Sequence, residues 1–270
     1  MRVALSIAGS DSSGGAGIQA DLKTFQALGV FGMSAVTAVT AQNTQKVYDI
    51  QEMRPEIVYG QIVCLFEDIP VHAVKIGMVA SVPLIEAIAD ALGGLERLPP
   101  VVLDPVMISK SGYALLQPDA QAALVRHLFP LARVVTPNLP EAEALLGKKI
   151  ADIDAMKIAA REISALGAKM VVVKGGHLGR GNATDVLFDG QDFRLLESRR
   201  IDTANTHGTG CTFSSAIAAH MARGESFFDA VTQAKTYITG AIENALSLGK
   251  GCGPTHHFFD LYRRAGMGVG

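Results

Sequence analysis

A phosphate-binding helix start is indicated by residues 205–211, Asn-Thr-His-Gly-Thr-Gly-Cys, which precede a run of small residues. Glycines at a helix start let the backbone approach a ligand closely. The unpaired N–H groups there, together with the positive end of the helix dipole, bind anions. A phosphoryl group in transfer carries charge on its equatorial oxygens, so fixed N–H groups suit its transfer. Gly208, Thr209 and Gly210 of this glycine turn are therefore candidates for holding a phosphate.

Cys211 ends the glycine turn and is a candidate catalytic residue. In the first turn of a helix the pKa of a thiol is expected to fall, which would make a thiolate available. Taken alone, the segment also fits a tight strand-to-helix turn with a small buried cysteine.

Two charged residues follow apolar runs that are typical of buried strands. Lys174 leaves one such run beside Gly175 and Gly176, and it could reach phosphates as a point charge. Asp104 ends another run, and its carboxylate could hold Mg²⁺ through water alongside substrate phosphates. The alternatives are a surface lysine at a turn and an Asp side chain that hydrogen-bonds its own backbone before Pro105.

Asn138 and Glu141 belong to the segment Asn-Leu-Pro-Glu, which by itself predicts a helix start. Proline and glutamate are favoured in the first turn of a helix, and Asn138 or a neighbour could cap it. Both residues become candidates for a functional role only in combination with the other segments.

Residues 9–17, here called the opening loop, lead into Gly-Ala-Gly-Ile-Gln-Ala, which formally matches a dinucleotide-binding pattern. That pattern requires an acidic residue about 20 positions on. No Asp or Glu lies between Lys23 and Tyr48, which excludes a dinucleotide-binding oxidoreductase. The phosphate-loop sequence G-x-x-x-x-G-K-[ST] is absent, which excludes a P-loop enzyme. Asp21 compensates a helix dipole or hydrogen-bonds a ligand, and Gln42 is a second candidate for ligand contact.

A fold must bring these segments together. Short apolar runs alternate with helical patterns along the chain, and this alternation predicts an α/β fold. Near-continuous apolar runs are typical of parallel strands covered on both faces. Repeated β-then-α units imply an open parallel sheet whose ligands lie beyond the carboxyl ends of the strands. The predicted strands are Val3–Ala8, Ser34–Thr40, Ala73–Ile76, Val101–Leu103, Val134–Thr136 and Met170–Val173, and the predicted helices are 18–28, 83–92 after a Ser81 cap, 152–166, 212–222 and 226–248.

Composition narrows the class of protein. The 270 residues are 49% hydrophobic and 6% aromatic, which suits one large α/β domain or two small ones, and we expect a single domain over residues 1–270. A net charge of −2 indicates neither nucleic-acid nor membrane binding. Three scattered cysteines and no long apolar segment predict a reducing, cytoplasmic location.

The combination of segments resembles the ribokinase superfamily and, within it, the hydroxymethylpyrimidine/phosphomethylpyrimidine kinases of thiamine biosynthesis. The resemblance covers nearly the whole chain in the family's order. One departure is Ser12, where many relatives carry proline after the aspartate. The matching segments are the opening loop with residues 18–24, 40–44, 75–78, 104–107, 136–141, 174–177, 205–211 and 253–257.

The resemblance implies a ribokinase-like α/β fold and a set of phosphate-handling roles. Cys211 stands where most of the superfamily places a catalytic Asp and would act as the base, with Gly208, Thr209 and Gly210 forming the anion hole. Lys174 would contact the nucleotide. Asn138 and Glu141 would organise Mg²⁺ and water around the triphosphate of ATP, with Asp104 nearby.

The resemblance also implies the substrate. Asp21 and Gln42 would hydrogen-bond an aminopyrimidine, and Met78 and Val106 would pack on its ring. The implied activity is ATP-dependent phosphorylation of 4-amino-5-hydroxymethyl-2-methylpyrimidine and of its monophosphate, in a homodimer. Two alternatives stay open, a pyridoxine or pyridoxal kinase of the same superfamily and a non-catalytic pyrimidine-binding regulator.

Overall fold

A computed structural model describes residues 1–108, 112–113, 115–117, 119–176, 178 and 182–268. The strands are β1 Arg2–Asp11, β2 Val30–Gln42, β3 Val47–Glu52, β4 Ala73–Ile76, β5 Val101–Leu103, β6 Val134–Val135, β7 Met170–Val173, β8 Ala183–Phe188 and β9 Phe193–Ser198. In the described residues they form one sheet in the order β3-β2-β1-β4-β5-β6-β7-β8-β9. Adjacent strands from β2 to β7 are parallel, whereas β3, β8 and β9 run antiparallel to their neighbours.

The helices are α1 Gly17–Ala27, α2 Pro55–Asp68, α3 Val82–Gly93, α4 Ala120–Ala123, α5 Leu139–Leu146, α6 Ile153–Ala165, α7 Thr209–Ala222, α8 Phe227–Glu243 and α9 Phe259–Arg264. A π-helical turn at Leu124–Leu128 and a 3₁₀ turn at Phe129–Leu131 continue α4. Among the described residues, no helix is both long and apolar enough to cross a membrane.

Helices cover both faces of the sheet, which confirms the predicted α/β class. Helices α2 to α6 pack on one face, where Ile62 and Ile88 are buried against the strands. Helices α1, α7 and α8 pack on the other face through residues such as Phe25, Phe213 and Val231. Burying one such side chain stabilises the fold by roughly 1.5–3 kcal/mol.

All six predicted strands are present, but three others were missed. Strands β3, β8 and β9 are the antiparallel ones, and β3 and β9 have mostly exposed or half-buried residues. Exposed strands tolerate charged side chains such as Asp49 and Glu197, so they lack the apolar run by which the parallel strands were recognised.

Helix boundaries agree with the sequence patterns at most ends. Gly29 follows α1 with φ 73°, and Asp152 and Ser226 accept capping hydrogen bonds at the starts of α6 and α8. Ser81 is the N-cap residue of α3 as predicted, but its side chain makes no capping hydrogen bond, because the hydroxyl donates to Glu52. Helix α8 ends five residues earlier than predicted, where the chain turns to hydrogen-bond residue 254.

Candidate active site

The carboxyl ends of the parallel strands and the start of α7 meet at one edge of the sheet. Gly208 is the N-cap residue of α7, with φ 77° and ψ 6°, and the helix has no side-chain cap. The hydroxyl of Thr209 donates to the carbonyl of Thr206 at 2.7 Å, which stabilises the turn internally. No side chain therefore caps the first-turn N–H groups, which can face an anion, although the Thr209 N–H also makes a long hydrogen bond of 3.3 Å to the Thr206 carbonyl.

An ion pair lies directly beside this turn. Lys174 Nζ is 2.9 Å from Asp104 Oδ1, and Asp104 is 2% exposed. Thr136 also donates to the Asp104 carboxylate at 3.2 Å, and the Ser214 hydroxyl lies 3.4 Å from it, with the carbonyls of Gly210 and Cys211 closer at 3.0 and 3.1 Å. A Cβ placed on Gly210 would lie 3.3 Å from Asp104 Oδ2 and 3.5 Å from Lys174 Nζ, so the pair borders the glycine turn. Sequence reasoning gave no role to Thr136 or Ser214.

Asn138 and Glu141 form a reciprocal cap at the start of α5. The Asn138 side chain accepts from the Glu141 N–H at 2.9 Å, and the Glu141 carboxylate accepts from the Asn138 N–H at 2.8 Å. Burial raises the pKa of Glu141 to about 7, with Lys174 opposing the rise and Asp104 adding to it. The two residues thus have a structural role, and Glu141 is also a buried carboxylate whose charge is only partly compensated.

The donors here fit Mg²⁺ held mainly by water and phosphate oxygens. Among the described residues no group of three or more His, Cys, Asp or Glu side chains is arranged to bind a metal. Mg²⁺ usually keeps several waters and takes one or two carboxylates together with substrate phosphates. Glu141 and Asp104 would supply those carboxylates through water, and a cation nearby would compensate the buried charge of Glu141.

Asp21 is enclosed by partners within the protein, and its contact with a ligand stays a prediction. It is fully buried in α1, and Lys75 Nζ donates to its two oxygens at 3.0 and 2.8 Å. Ser6 and Ser215 each donate a further hydrogen bond at 2.6 Å. Both oxygens are therefore already satisfied from within the protein, and a ligand would have to displace one of these partners.

Lys75 is the principal residue that sequence reasoning overlooked. It is a fully buried lysine within the apolar strand β4, where a charged residue is unusual. Burial by itself lowers its pKa, but the Asp21 carboxylate, with Cys211 and Asp104 adding to its effect, outweighs burial, and the pKa of Lys75 rises above its usual range. A lone lysine within an otherwise apolar four-residue strand was the available signal.

The prediction that the pKa of the Cys211 thiol falls is wrong. Burial raises it to about 11, since the positive charge of Lys75 only partly offsets burial and the carboxylates of Asp21 and Asp104 raise it further. The start of α7 does not overcome this combination. Cys211 is therefore a neutral thiol near pH 7 when no ligand is bound.

Met78 and Val106 come together in a small apolar cluster at this edge. Buried Met78 and Ala38 form the cluster with Ala80, and Val106 packs against it. A Cβ on Gly9 would lie 3.1 Å from Met78 Sδ, so the opening loop also borders the cluster.

Gln42 lies at the end of β2 and is tied to the opening loop. Its backbone N–H donates to the Ser12 hydroxyl at 2.9 Å, and that hydroxyl donates to its carbonyl at 2.7 Å. The Thr40 hydroxyl donates to the Ser10 carbonyl at 2.8 Å and lies 3.3 Å from the Gln42 side-chain oxygen. His177, part of the segment after β7, lies outside the described residues.

Comparisons with known proteins agree with this arrangement. Residues 11–256 match the family described as phosphomethylpyrimidine kinase. The chain is 54% identical over 259 residues to a hydroxymethylpyrimidine/phosphomethylpyrimidine kinase of Rhizobium meliloti (strain 1021), covering 95% of this chain and 97% of that protein. It is 51% identical over 253 residues to the thiamine biosynthesis bifunctional protein ThiED of Geobacter sulfurreducens (strain ATCC 51573 / DSM 12127 / PCA), covering 94% of this chain and 51% of that protein.

A solved structure supports the same assignment. An ADP complex of Bacillus subtilis pyridoxal kinase is similar to this chain with a TM-score of 0.88 and 44% identity, covering 95% of this chain and 97% of that one. The ribokinase-like fold and the kinase class expected from the sequence are thereby confirmed. With the family match extending over most of the chain, this protein belongs to the phosphomethylpyrimidine kinase family and is a phosphotransferase.

Proposed function

We propose that the enzyme uses ATP to phosphorylate 4-amino-5-hydroxymethyl-2-methylpyrimidine and then its monophosphate, yielding the pyrophosphate used in thiamine biosynthesis. The observation that carries the proposal is the uncapped glycine start of α7 beside the Lys174–Asp104 pair. N–H groups and a lysine at one point suit a terminal phosphate, and the Rhizobium meliloti relative is named as a kinase of hydroxymethylpyrimidine and phosphomethylpyrimidine.

In the proposed reaction the γ-phosphoryl group lies against the glycine turn. The N–H groups of residues 208–210 stabilise charge on its equatorial oxygens, and Lys174 attracts the nucleotide phosphates. Bound Mg²⁺, with Glu141 and Asp104 holding its waters, would neutralise phosphate charge. Because the transition state is loose, positioning contributes more than a strong base does.

Cys211 ends the glycine turn, where its thiolate would receive the proton of the attacking hydroxyl. With a pKa of about 11 the thiolate is a minor species in the ligand-free protein, so the thiol must first lose its own proton to solvent. The positive charge of Lys75 favours this thiolate. The thiolate then takes the hydroxyl proton and becomes a thiol again, late in the reaction, after the oxygen–phosphorus bond has begun to form, which a loose transition state allows.

Recognition of the ring is assigned to Gln42, Met78 and Val106. The apolar cluster that contains Met78 suits the ring faces, and the Gln42 amide can pair with the polar edge of an aminopyrimidine. In this proposal Asp21 does not contact the ring. It holds Lys75 and Ser215 in place through hydrogen bonds.

A pyridoxal kinase is the second candidate, favoured by the similarity to the Bacillus subtilis enzyme. Pyridoxal also presents a hydroxymethyl group on a small nitrogen ring. The non-catalytic regulator is a weaker alternative, since the Lys174–Asp104 pair and the uncapped turn would then serve no chemistry.

A side-by-side assay tests the function. The enzyme is incubated with ATP, Mg²⁺ and either hydroxymethylpyrimidine or pyridoxal, and products are resolved by phosphorus NMR. We expect mono- and then diphosphorylated pyrimidine, with kcat/KM for the pyrimidine above that for pyridoxal. Faster turnover of pyridoxal would favour the second candidate, and absence of turnover with both would favour the regulator.

The cofactors, the assembly and the location of the enzyme belong to the same proposal. We propose ATP and Mg²⁺ as the cofactors, a homodimer as the assembly and the cytoplasm as the location. The three cysteines, all unpaired, fit a reducing compartment.

A further inference from the structure

Asp11 is the centre of the hydrogen bonds within the opening loop. Its Oδ1 accepts from the N–H and the hydroxyl of Ser13 at 2.8 and 2.7 Å. Its Oδ2 accepts from the N–H groups of Gly15 and Ala16 at 3.1 and 2.8 Å. Burial by itself raises the pKa of Asp11, but hydrogen bonds from His207 and Ser13 outweigh it and hold the pKa at about 2. The loop is therefore folded around an ionised carboxylate.

The same carboxylate reaches the glycine turn. Asp11 Oδ2 lies 2.7 Å from Nε2 of His207, although the two residues are 196 positions apart. An ionised carboxylate only accepts hydrogen bonds, so Nε2–H of His207 is the donor. Such charge-assisted hydrogen bonds are roughly twice as strong as neutral ones.

Two backbone hydrogen bonds also hold His207 in place. Its N–H donates to the carbonyl of Gly253 at 3.0 Å, and its carbonyl accepts from the N–H of Thr255 at 3.3 Å. His207 immediately precedes Gly208, the residue from which α7 begins. The orientation of the first N–H groups of α7 thus depends on where His207 is held.

The opening loop and the glycine turn pack so closely that the position of one fixes the position of the other. A Cβ on Gly208 would lie 1.8 Å from the carbonyl oxygen of Gly15, and a Cβ on Gly15 would lie 2.4 Å from Cδ2 of His207. The two backbones therefore touch where the Asp11–His207 hydrogen bond joins them. A displacement of one segment must displace the other.

We propose that Asp11 and His207 are positioning residues that hold the N–H groups of residues 208–210 in the arrangement a terminal phosphate requires, an inference that rests on the proposed kinase function. Neither side chain needs to touch the nucleotide. A misplacement of about 1 Å at a reacting centre can cost on the order of 10²-fold in rate. Loosening the turn should therefore affect the γ-phosphate selectively, because ADP lacks that group.

The test measures dissociation constants of AMP-PCP and ADP, each with Mg²⁺, by titration calorimetry. We expect His207→Ala to weaken AMP-PCP binding by about tenfold more than ADP binding, because the N–H groups that contact the γ-phosphate would no longer be held in place. His207→Gln should recover most of that loss, because the amide of Gln can still donate to Asp11. Asp11→Asn provides a second, independent variant with the same expected direction.

His220 offers a control in the helix that follows His207. Its Nδ1 lies 2.9 Å from Glu225 Oε1 near the end of α7. His220→Ala removes a partly buried His–carboxylate pair far from the glycine turn and should leave the ratio of the two dissociation constants unchanged, even if thermal stability falls.

Equal weakening of AMP-PCP and ADP in the His207 and Asp11 variants, or no weakening in either, would overturn the positioning role. A wild-type protein that binds neither nucleotide would instead overturn the kinase function itself. A shift of the ratio in His220→Ala as large as that in His207→Ala would also count against the inference, because loss of stability would then explain both.

Discussion

Burial affects the ionisable residues of this site in two opposite ways, according to the partners each one has. Glu141 and Cys211 are buried without full compensation of their charges, so their pKa values rise to about 7 and about 11. Asp11 and Lys75 are buried with strong partners and keep their charges. The charges that stay fixed among these four residues are therefore those with dedicated partners, whereas Glu141 and Cys211 have pKa values that burial shifts.

At the residue scale, we expect Cys211→Ala to lower kcat by roughly 10²–10⁴-fold, the usual contribution of a positioned acid or base. Nucleotide affinity should change little, because the N–H groups of the turn remain. Since burial raises the pKa of Cys211 to about 11, the thiolate fraction grows with pH, and wild-type kcat should rise from pH 7 to 10. The variant should lack that rise.

Steady-state kinetics across this pH range checks the assignment, with Cys64→Ala as the control because Cys64 is exposed on α2. Near-wild-type turnover of Cys211→Ala would remove the base assignment.

At the scale of elements, α7 organises the site because its start collects contacts from several parts of the fold. Ser215 in its second turn donates to Asp21 of α1, and Asp21 pairs with Lys75 of β4. The Ser214 hydroxyl lies 3.4 Å from the carboxylate of Asp104, just after the end of β5. The helix start is thus held by side chains from β4, β5 and α1 as well as by its own backbone.

Glycines with positive φ flank α7 at both ends, which allows a matched comparison. Gly208 has φ 77° and Gly224 has φ 91°, but only Gly208 lacks space for a Cβ. We expect Gly224→Ala to cost about 1–2 kcal/mol of unfolding free energy from backbone strain alone. Gly208→Ala should cost more, because the new Cβ would collide with the carbonyl of Gly15, and it should abolish kcat.

Urea unfolding and kinetics of the two variants provide the measurement. Equal losses of stability and activity in Gly208→Ala and Gly224→Ala would show that contact with the opening loop is unimportant.

At the scale of the whole molecule, Glu141 should make stability depend on pH. Its folded pKa of about 7 exceeds its ordinary value of 4.5, so the folded protein binds more protons than the unfolded chain between these values. The contribution of protonated Glu141 to the free energy of unfolding is complete below about pH 4.5, and it is lost as pH rises through 7. Glu141→Gln should remove this dependence, which amounts to about 2–3 kcal/mol.

The measurement is urea unfolding of wild type and variant from pH 5 to 8. Glu143→Gln, in the same helix, is the control, because hydrogen bonds from Lys149 and Ile150 lower the pKa of Glu143 and leave it ionised over this range. A wild-type slope equal to that of Glu141→Gln would contradict the assigned pKa. The single-domain organisation and the homodimer stay predictions at this scale.

The parallel part of the sheet was predictable because each of its strands is a local apolar run, and the chemistry follows directly after those runs. Lys174, Asp104 and the glycine turn could be named from the sequence for the same reason: they follow strand ends that must share one edge. Strands β3 and β9 could not, because half-exposed antiparallel strands carry charges and have no distinctive run.

The sequence by itself determined which residues could do chemistry and which family they belong to, since both depend on residue type and spacing along the chain. Only the tertiary structure decided how those residues behave. Asp21 meets Lys75 54 positions away, so a residue predicted to contact a ligand also forms a buried ion pair. Cys211 has a raised pKa because burial and charges from other elements outweigh its place at a helix start. Burial and electrostatics are sums over neighbours in space, and most of those neighbours are distant in sequence.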